Sequence, residues 1–142
     1  GKKIMQKDFD AYLALFKGNS RYLPKTLEDK KRLLHHLIDR AILLEAARKE
    51  GYFKQDTLKK HPSFNQVEKE TFVLRAYLMD HVSGKITVTS SEIAAFKKTH
   101  PRITPQEARN ILTTKYQKIE FASLMKHLKS GRVIRIYLEN FK

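Results

Sequence analysis

Thr104-Pro-Gln-Glu-Ala-Arg-Asn-Ile-Leu-Thr-Thr-Lys-Tyr-Gln-Lys-Ile-Glu-Phe-Ala-Ser-Leu-Met-Lys-His-Leu-Lys-Ser-Gly131 begins with threonine, proline and glutamate in the register of a helix N-terminus and ends in glycine. Threonine is a preferred N-cap. Proline fits the first helical position, where its missing N–H has no partner to lose, and a glutamate three residues after the cap reaches back to the cap's amide. Glycine supplies the left-handed residue that stops a helix. The pattern predicts a helix from Pro105 to about Ser130. Within it Leu112, Tyr116 and Ile119 make one apolar stripe, while Phe121, Leu124, Met125 and Leu128 make another, rotated by roughly 150°. Such a helix either bends near Lys118–Glu120 or touches two bodies.

The rest of the chain is also helical in pattern. Phe9, Tyr12, Leu13 and Phe16 follow the 3, 4, 7 spacing of a helix from about Gln6 to Phe16. Thr26 with Asp29 reads as a capping box with aspartate in place of glutamate, opening a helix to about Glu50 that Gly51 closes. Its stripe of Leu27, Leu33, Leu34, Leu37, Ile38, Ala41 and Leu44 spans a sector of about 140°. Tyr52 to Pro62 is polar and turn-rich. Ser63 with Gln66 predicts the next cap, and Phe64, Val67, Thr71, Leu74, Leu78 and Val82 the stripe that follows. Ser83-Gly84 stops that helix. Beyond an extended Ile86-Thr87-Val88, a cap at Thr89 or Ser90 opens a short helix carrying Ile93, Ala94 and Phe96, ended near His100-Pro101. Val133 to Leu138 is β-branched and aromatic and reads as a strand, with residues 2–5 or 86–88 as its candidate partner. The expected fold is mainly α, a single domain over residues 1–142, with five to six helices and a small two-stranded ribbon formed by the chain termini.

Composition excludes several classes of function. The 142 residues carry 29 Lys+Arg against 15 Asp+Glu, a net charge of +14, with no cysteine and 41% apolar residues. Without cysteine there is no disulfide scaffold, thiolate metal site or cysteine nucleophile. No run approaches the roughly 18 apolar residues of a transmembrane helix. Glycine-rich phosphate loops, Gly-x-Ser-x-Gly and paired His/Glu zinc spacing are all missing from the sequence, so no catalytic residue, cofactor or metal ligand is assigned. Adjacent His35 and His36 diverge by about 100° on a helix and cannot chelate one metal together. The basic excess favours an anionic partner. It is nevertheless spread along the chain: residues 1–71 hold 16 basic and 10 acidic side chains, residues 72–142 hold 13 and 5. No nucleic-acid-binding motif accompanies it. A basic nucleic-acid-binding module is therefore the alternative reading, carried by charge alone.

Three segments taken in order resemble the N-terminal chaperone domain of SurA-type periplasmic foldases, the parvulin-associated peptidyl-prolyl isomerases. They are Gly1-Lys-Lys-Ile-Met-Gln-Lys-Asp-Phe-Asp-Ala-Tyr-Leu13, Leu37-Ile-Asp-Arg-Ala-Ile-Leu-Leu-Glu-Ala-Ala-Arg-Lys-Glu-Gly-Tyr52 and Val88-Thr-Ser-Ser-Glu-Ile-Ala-Ala-Phe-Lys-Lys-Thr-His-Pro101. In that family a strand leads into the first helix, and a closing strand, here resembled by Val133-Ile-Arg-Ile-Tyr137, pairs with it. The resemblance implies a periplasmic or otherwise extracytoplasmic chaperone. Its clients are unfolded or outer-membrane-type polypeptides, and a signal peptide or lipid anchor is expected upstream of Gly1. It carries no isomerase: Asn110 stands where a parvulin opening has histidine, and only about forty residues follow Pro101, against a parvulin's roughly one hundred.

A holding chaperone needs accessible apolar surface edged by polar groups. Apolar residues left over from the stripes are the candidates: Leu43, Val73 and Tyr77, with Phe121, Met125 and Leu128 on the second face of the last helix. Burial in the domain core is the competing reading for each, and homodimerisation or a structural partner is the competing use of the same surface. Glu45 and Arg75 both fall on apolar sides of the two long helices and are expected to pair there.

Overall fold

The structure, a computed structural model, describes residues 5–14 and 24–131. Among them are six α-helices, two short 3₁₀ turns and no strand. The helices are α1 (Gln6–Ala14), α2 (Leu27–Lys49), α3 (Asp56–Lys59), α4 (Gln66–His81), α5 (Ser90–Thr99) and α6 (Pro105–Lys129). The mainly α expectation therefore holds. Residues 2–4 and 133–138, to which the terminal ribbon was assigned, lie outside the described residues. The other candidate strand, 86–88, forms no ladder, although Ile86 is extended. The chain divides into two compact units, Gly1–Glu45 with Gly131–Lys142, and Ala46–Ser130.

In the first unit the start of α1 is fixed by Asp8, whose carboxylate accepts the Met5 N–H at 2.7 Å. The aspartate variant of the capping box at α2 forms in both directions. Thr26 Oγ1 accepts the Asp29 N–H at 3.1 Å, and Asp29 accepts the N–H groups of Thr26 and Lys25 at 3.2 Å each. Tyr12 and Leu13 of α1 pack on a cluster centred on Leu34 and Leu37, joined by Leu33 and Ile38. Leu27 does not take part in the stripe. It is 56% exposed, because it stands in the first turn of α2, two turns ahead of that cluster.

In the second unit Gly51, with φ +83°, turns the chain out of α2 into the 3₁₀ turn Tyr52–Lys54. The cap of α4 is Asn65, not Ser63: its side chain accepts the Glu68 N–H and Glu68 accepts the Asn65 N–H, both at 2.9 Å. The buried face of α4 is also rotated from the expected stripe. Val73, Leu74 and Tyr77 are buried, whereas Thr71 is exposed. The cause is the turn Tyr52–Lys54, which lies against α4 and sets the Tyr52 ring on Tyr77, a side that residue periodicity left open.

At α6 the capping box is complete. Thr104 accepts the Glu107 N–H at 3.1 Å, Glu107 accepts the Thr104 N–H at 3.2 Å, Pro105 is the first helical residue and Gly131 is left-handed at φ +76°. Thr89 caps α5 through its side chain alone, accepting the Glu92 N–H at 3.2 Å. The pair α5–α6 encloses a core of Ile93, Ala108 and Leu112, with Val88, Phe96, Ile103 and Tyr116 around it. The ten residues of α5 rise about 15 Å and the 25 of α6 about 37 Å. One short partner thus reaches only the first stripe of α6. In the second stripe Met125 is buried, and Phe121, Leu124 and Leu128 are half-buried.

Candidate binding surface

Most of the residues expected to offer open apolar surface belong to the interior. Val73 and Tyr77 are each 1% exposed, and Leu43 and Met125 are buried as well. Phe121 and Leu128 are half-buried beside Met125 on the second stripe of α6. The expectation that Leu43, Val73, Tyr77 and Met125 are left accessible is corrected accordingly. For Tyr77 the reason is visible: Tyr52 meets its ring edge-on at 5.4 Å between centroids, and the His81 ring lies 4.2 Å away. Arg75, placed by periodicity on the apolar side of α4, is exposed, while Glu45 is half-buried in the other unit.

The polar groups around Tyr77 form a structural clasp. The Tyr52 hydroxyl donates to Asp80 Oδ2 at 2.5 Å, and His81 Nε2 lies 2.8 Å from Glu50 Oε2. Together they tie the end of α4 to the turn that follows α2. Burial and the neighbouring Asp80 carboxylate push the Tyr52 hydroxyl up to about 12, and burial also raises Tyr77. Both phenols stay protonated at neutral pH, so neither serves as a nucleophile or base there. A second tyrosine–carboxylate bond, Tyr116 to Glu92 at 2.8 Å, joins α6 to α5 and raises the Tyr116 hydroxyl as well. Among the described residues no group of three or more His, Asp or Glu could hold a metal ion. No helix there is long and apolar enough to cross a membrane.

Open apolar surface appears instead on the outer side of α6. Ile111 and Ile119 are 47% and 54% exposed, and with Asn110, Thr114, Lys115 and Lys118 they line an open groove of about 580 Å³. The geometry follows from helical periodicity. Ala108 and Leu112 take the side facing α5, and Ile111 projects about 100° away from Leu112. Ile119 was expected to continue the Leu112/Tyr116 stripe. It lies beyond the reach of α5 and is open to solvent. Among the described residues nothing acidic lines the groove. The sequence did carry a signal for this face, because Lys115 and Lys118 have no acidic residue three or four positions away to pair with.

The fold and this face together define an all-α protein with a basic, isoleucine-floored groove on its longest helix. Compared with protein-family models, with curated proteins and with solved structures, the chain matches none.

Proposed function

We propose that the chain is an extracytoplasmic, SurA-type chaperone domain that holds non-native polypeptide and does not itself catalyse prolyl isomerisation. The supporting observation is an ordered one: the described parts of the segments that resemble the family fall on α1, on the glycine-terminated half of α2 and on the extended Thr89 that caps α5. The groove on α6 supplies what holding requires, apolar side chains open to solvent beside charges that keep the surface wetted. Isoleucines at the floor and lysines at the edge suit clients that expose apolar residues, of the unfolded or outer-membrane type. Light scattering of a chemically unfolded client diluted into buffer tests the reading. Stoichiometric protein is expected to delay aggregation, with no acceleration of proline-peptide isomerisation. Unchanged aggregation, or isomerisation above background, overturns it.

A further inference from the structure

We propose that the Ile111–Ile119 face of α6 selects acidic, apolar segments of non-native polypeptide, with the two isoleucines taking apolar side chains and Lys115 and Lys118 taking carboxylates. The proposal deepens the holding function proposed above and rests on it.

The arrangement is unfavourable for the chain on its own. Lys115 and Lys118 are three residues apart on one helix face, a like-charge spacing that costs stability, and the residues three and four positions from each supply no acid. Among the described residues neither lysine forms an ion pair, and Glu92 and Glu107, acids of α5 and α6, are engaged elsewhere. Glu107 closes the capping box, Glu92 accepts from Tyr116, and Arg109 reaches the Val88 carbonyl at 3.4 Å. Ile111 and Ile119 are equally unneeded by the core, since α5 packs on Ala108, Leu112 and Tyr116. Two lysines without an ion pair lie between two exposed isoleucines over about two helical turns, about 12 Å from Ile111 to Ile119. A client segment bearing acids and apolar residues satisfies both needs at once.

Charge also separates this occupant from others. A second copy docked through the same face about a two-fold axis sets Lys115 and Lys118 against their own counterparts, on a chain of net charge +14. Nucleic acid satisfies the lysines but not a floor of isoleucine, because single-strand grooves use aromatic rings for base stacking and, among the described residues, none lines this one.

Two fluorescein-labelled unstructured peptides of identical apolar content, one carrying glutamates and one lysines, provide the test by anisotropy. The glutamate peptide is expected to bind the wild-type protein, more weakly as salt rises. The Lys115→Glu/Lys118→Glu variant is expected to lose about tenfold in affinity for it and to gain affinity for the lysine peptide. Ile111→Ser/Ile119→Ser is expected to weaken the glutamate peptide without lowering the melting temperature, since both side chains are exposed. Wild-type protein that binds neither peptide, a charge-reversed variant that binds both peptides as wild type does, or competition for the face by random duplex DNA overturns the proposal. The two claims fail separately. Delayed client aggregation that survives charge reversal removes this face but keeps the holding function. Selective peptide binding without any delay of aggregation removes the holding function but keeps the face.

Discussion

Tyr52 and Asp80 are joined by a 2.5 Å hydrogen bond from the phenol to Oδ2, across 28 residues of sequence, and the bond anchors the turn after α2 to the last turn of α4. Tyr52 is buried there, with its ring edge against Tyr77, so one side chain contributes packing and a polar tether together. Replacing it with phenylalanine keeps the packing and removes the bond. Tyr52→Phe is expected to lower stability by about 1.5 to 3 kcal/mol in urea unfolding, the range for a hydrogen bond to a charged acceptor.

The same bond makes the fold sensitive to alkali. In the unfolded chain Tyr52 ionises near its ordinary value of 10.0, whereas in the folded chain burial and Asp80 raise it to about 12. Above the ordinary value the unfolded state loses its proton first, so stability falls as pH rises between these limits. Urea midpoints measured over that window are expected to fall more steeply for the wild type than for Tyr52→Phe.

At the acid end the first residue of interest is Asp29. The Lys25 amide, with Thr26, holds its carboxyl below the ordinary 3.8, in spite of some opposing desolvation. The contribution is fully present above the ordinary value and disappears as pH falls through the lowered one. Asp29→Asn keeps a capping side chain without the charge, and its stability is expected to vary less than that of the wild type below about pH 4.

Gly84 sits where a Cβ would come 2.7 Å from the Met79 carbonyl oxygen, an approach to backbone that no rotamer change relieves. Gly84→Ala is therefore expected to destabilise the unit containing α4, and Tyr77→Ala to cost about 3 to 5 kcal/mol through the cavity it leaves. Thermal melts followed by circular dichroism measure both. Neither substitution touches the outer face of α6.

Local chemistry was legible in the sequence, and non-local covering was not. The caps at Thr26, Thr89 and Thr104, the stops at Gly51 and Gly131 and the doubled stripe of α6 all depend on residues within one or two turns of each other, so spacing reveals them. Which side of α4 is buried depends on Tyr52, a residue fourteen positions before the helix begins, in a stretch whose polarity suggested only a loop. For the same reason Val73 and Tyr77 looked surplus and proved central. The Asn65 cap escaped because Ser63 with Gln66 offers an equally regular pattern two residues earlier. Ile119 was hidden differently: α5 is too short to cover the whole of α6, and a helix pattern carries no record of where its partner ends, while Ile111 simply points away from the Leu112 side that α5 covers.

Isoleucine methyl spectra of the protein titrated with an unfolded client test the central claim most directly, because Ile111 and Ile119 are open on α6 while Ile93 is enclosed against Ala108 and Leu112. The Ile111 and Ile119 methyl signals are expected to shift or broaden in proportion to bound client, with Ile93 unchanged and the effect lost in Lys115→Glu/Lys118→Glu. An unperturbed spectrum, or perturbation confined to isoleucines elsewhere, contradicts the account.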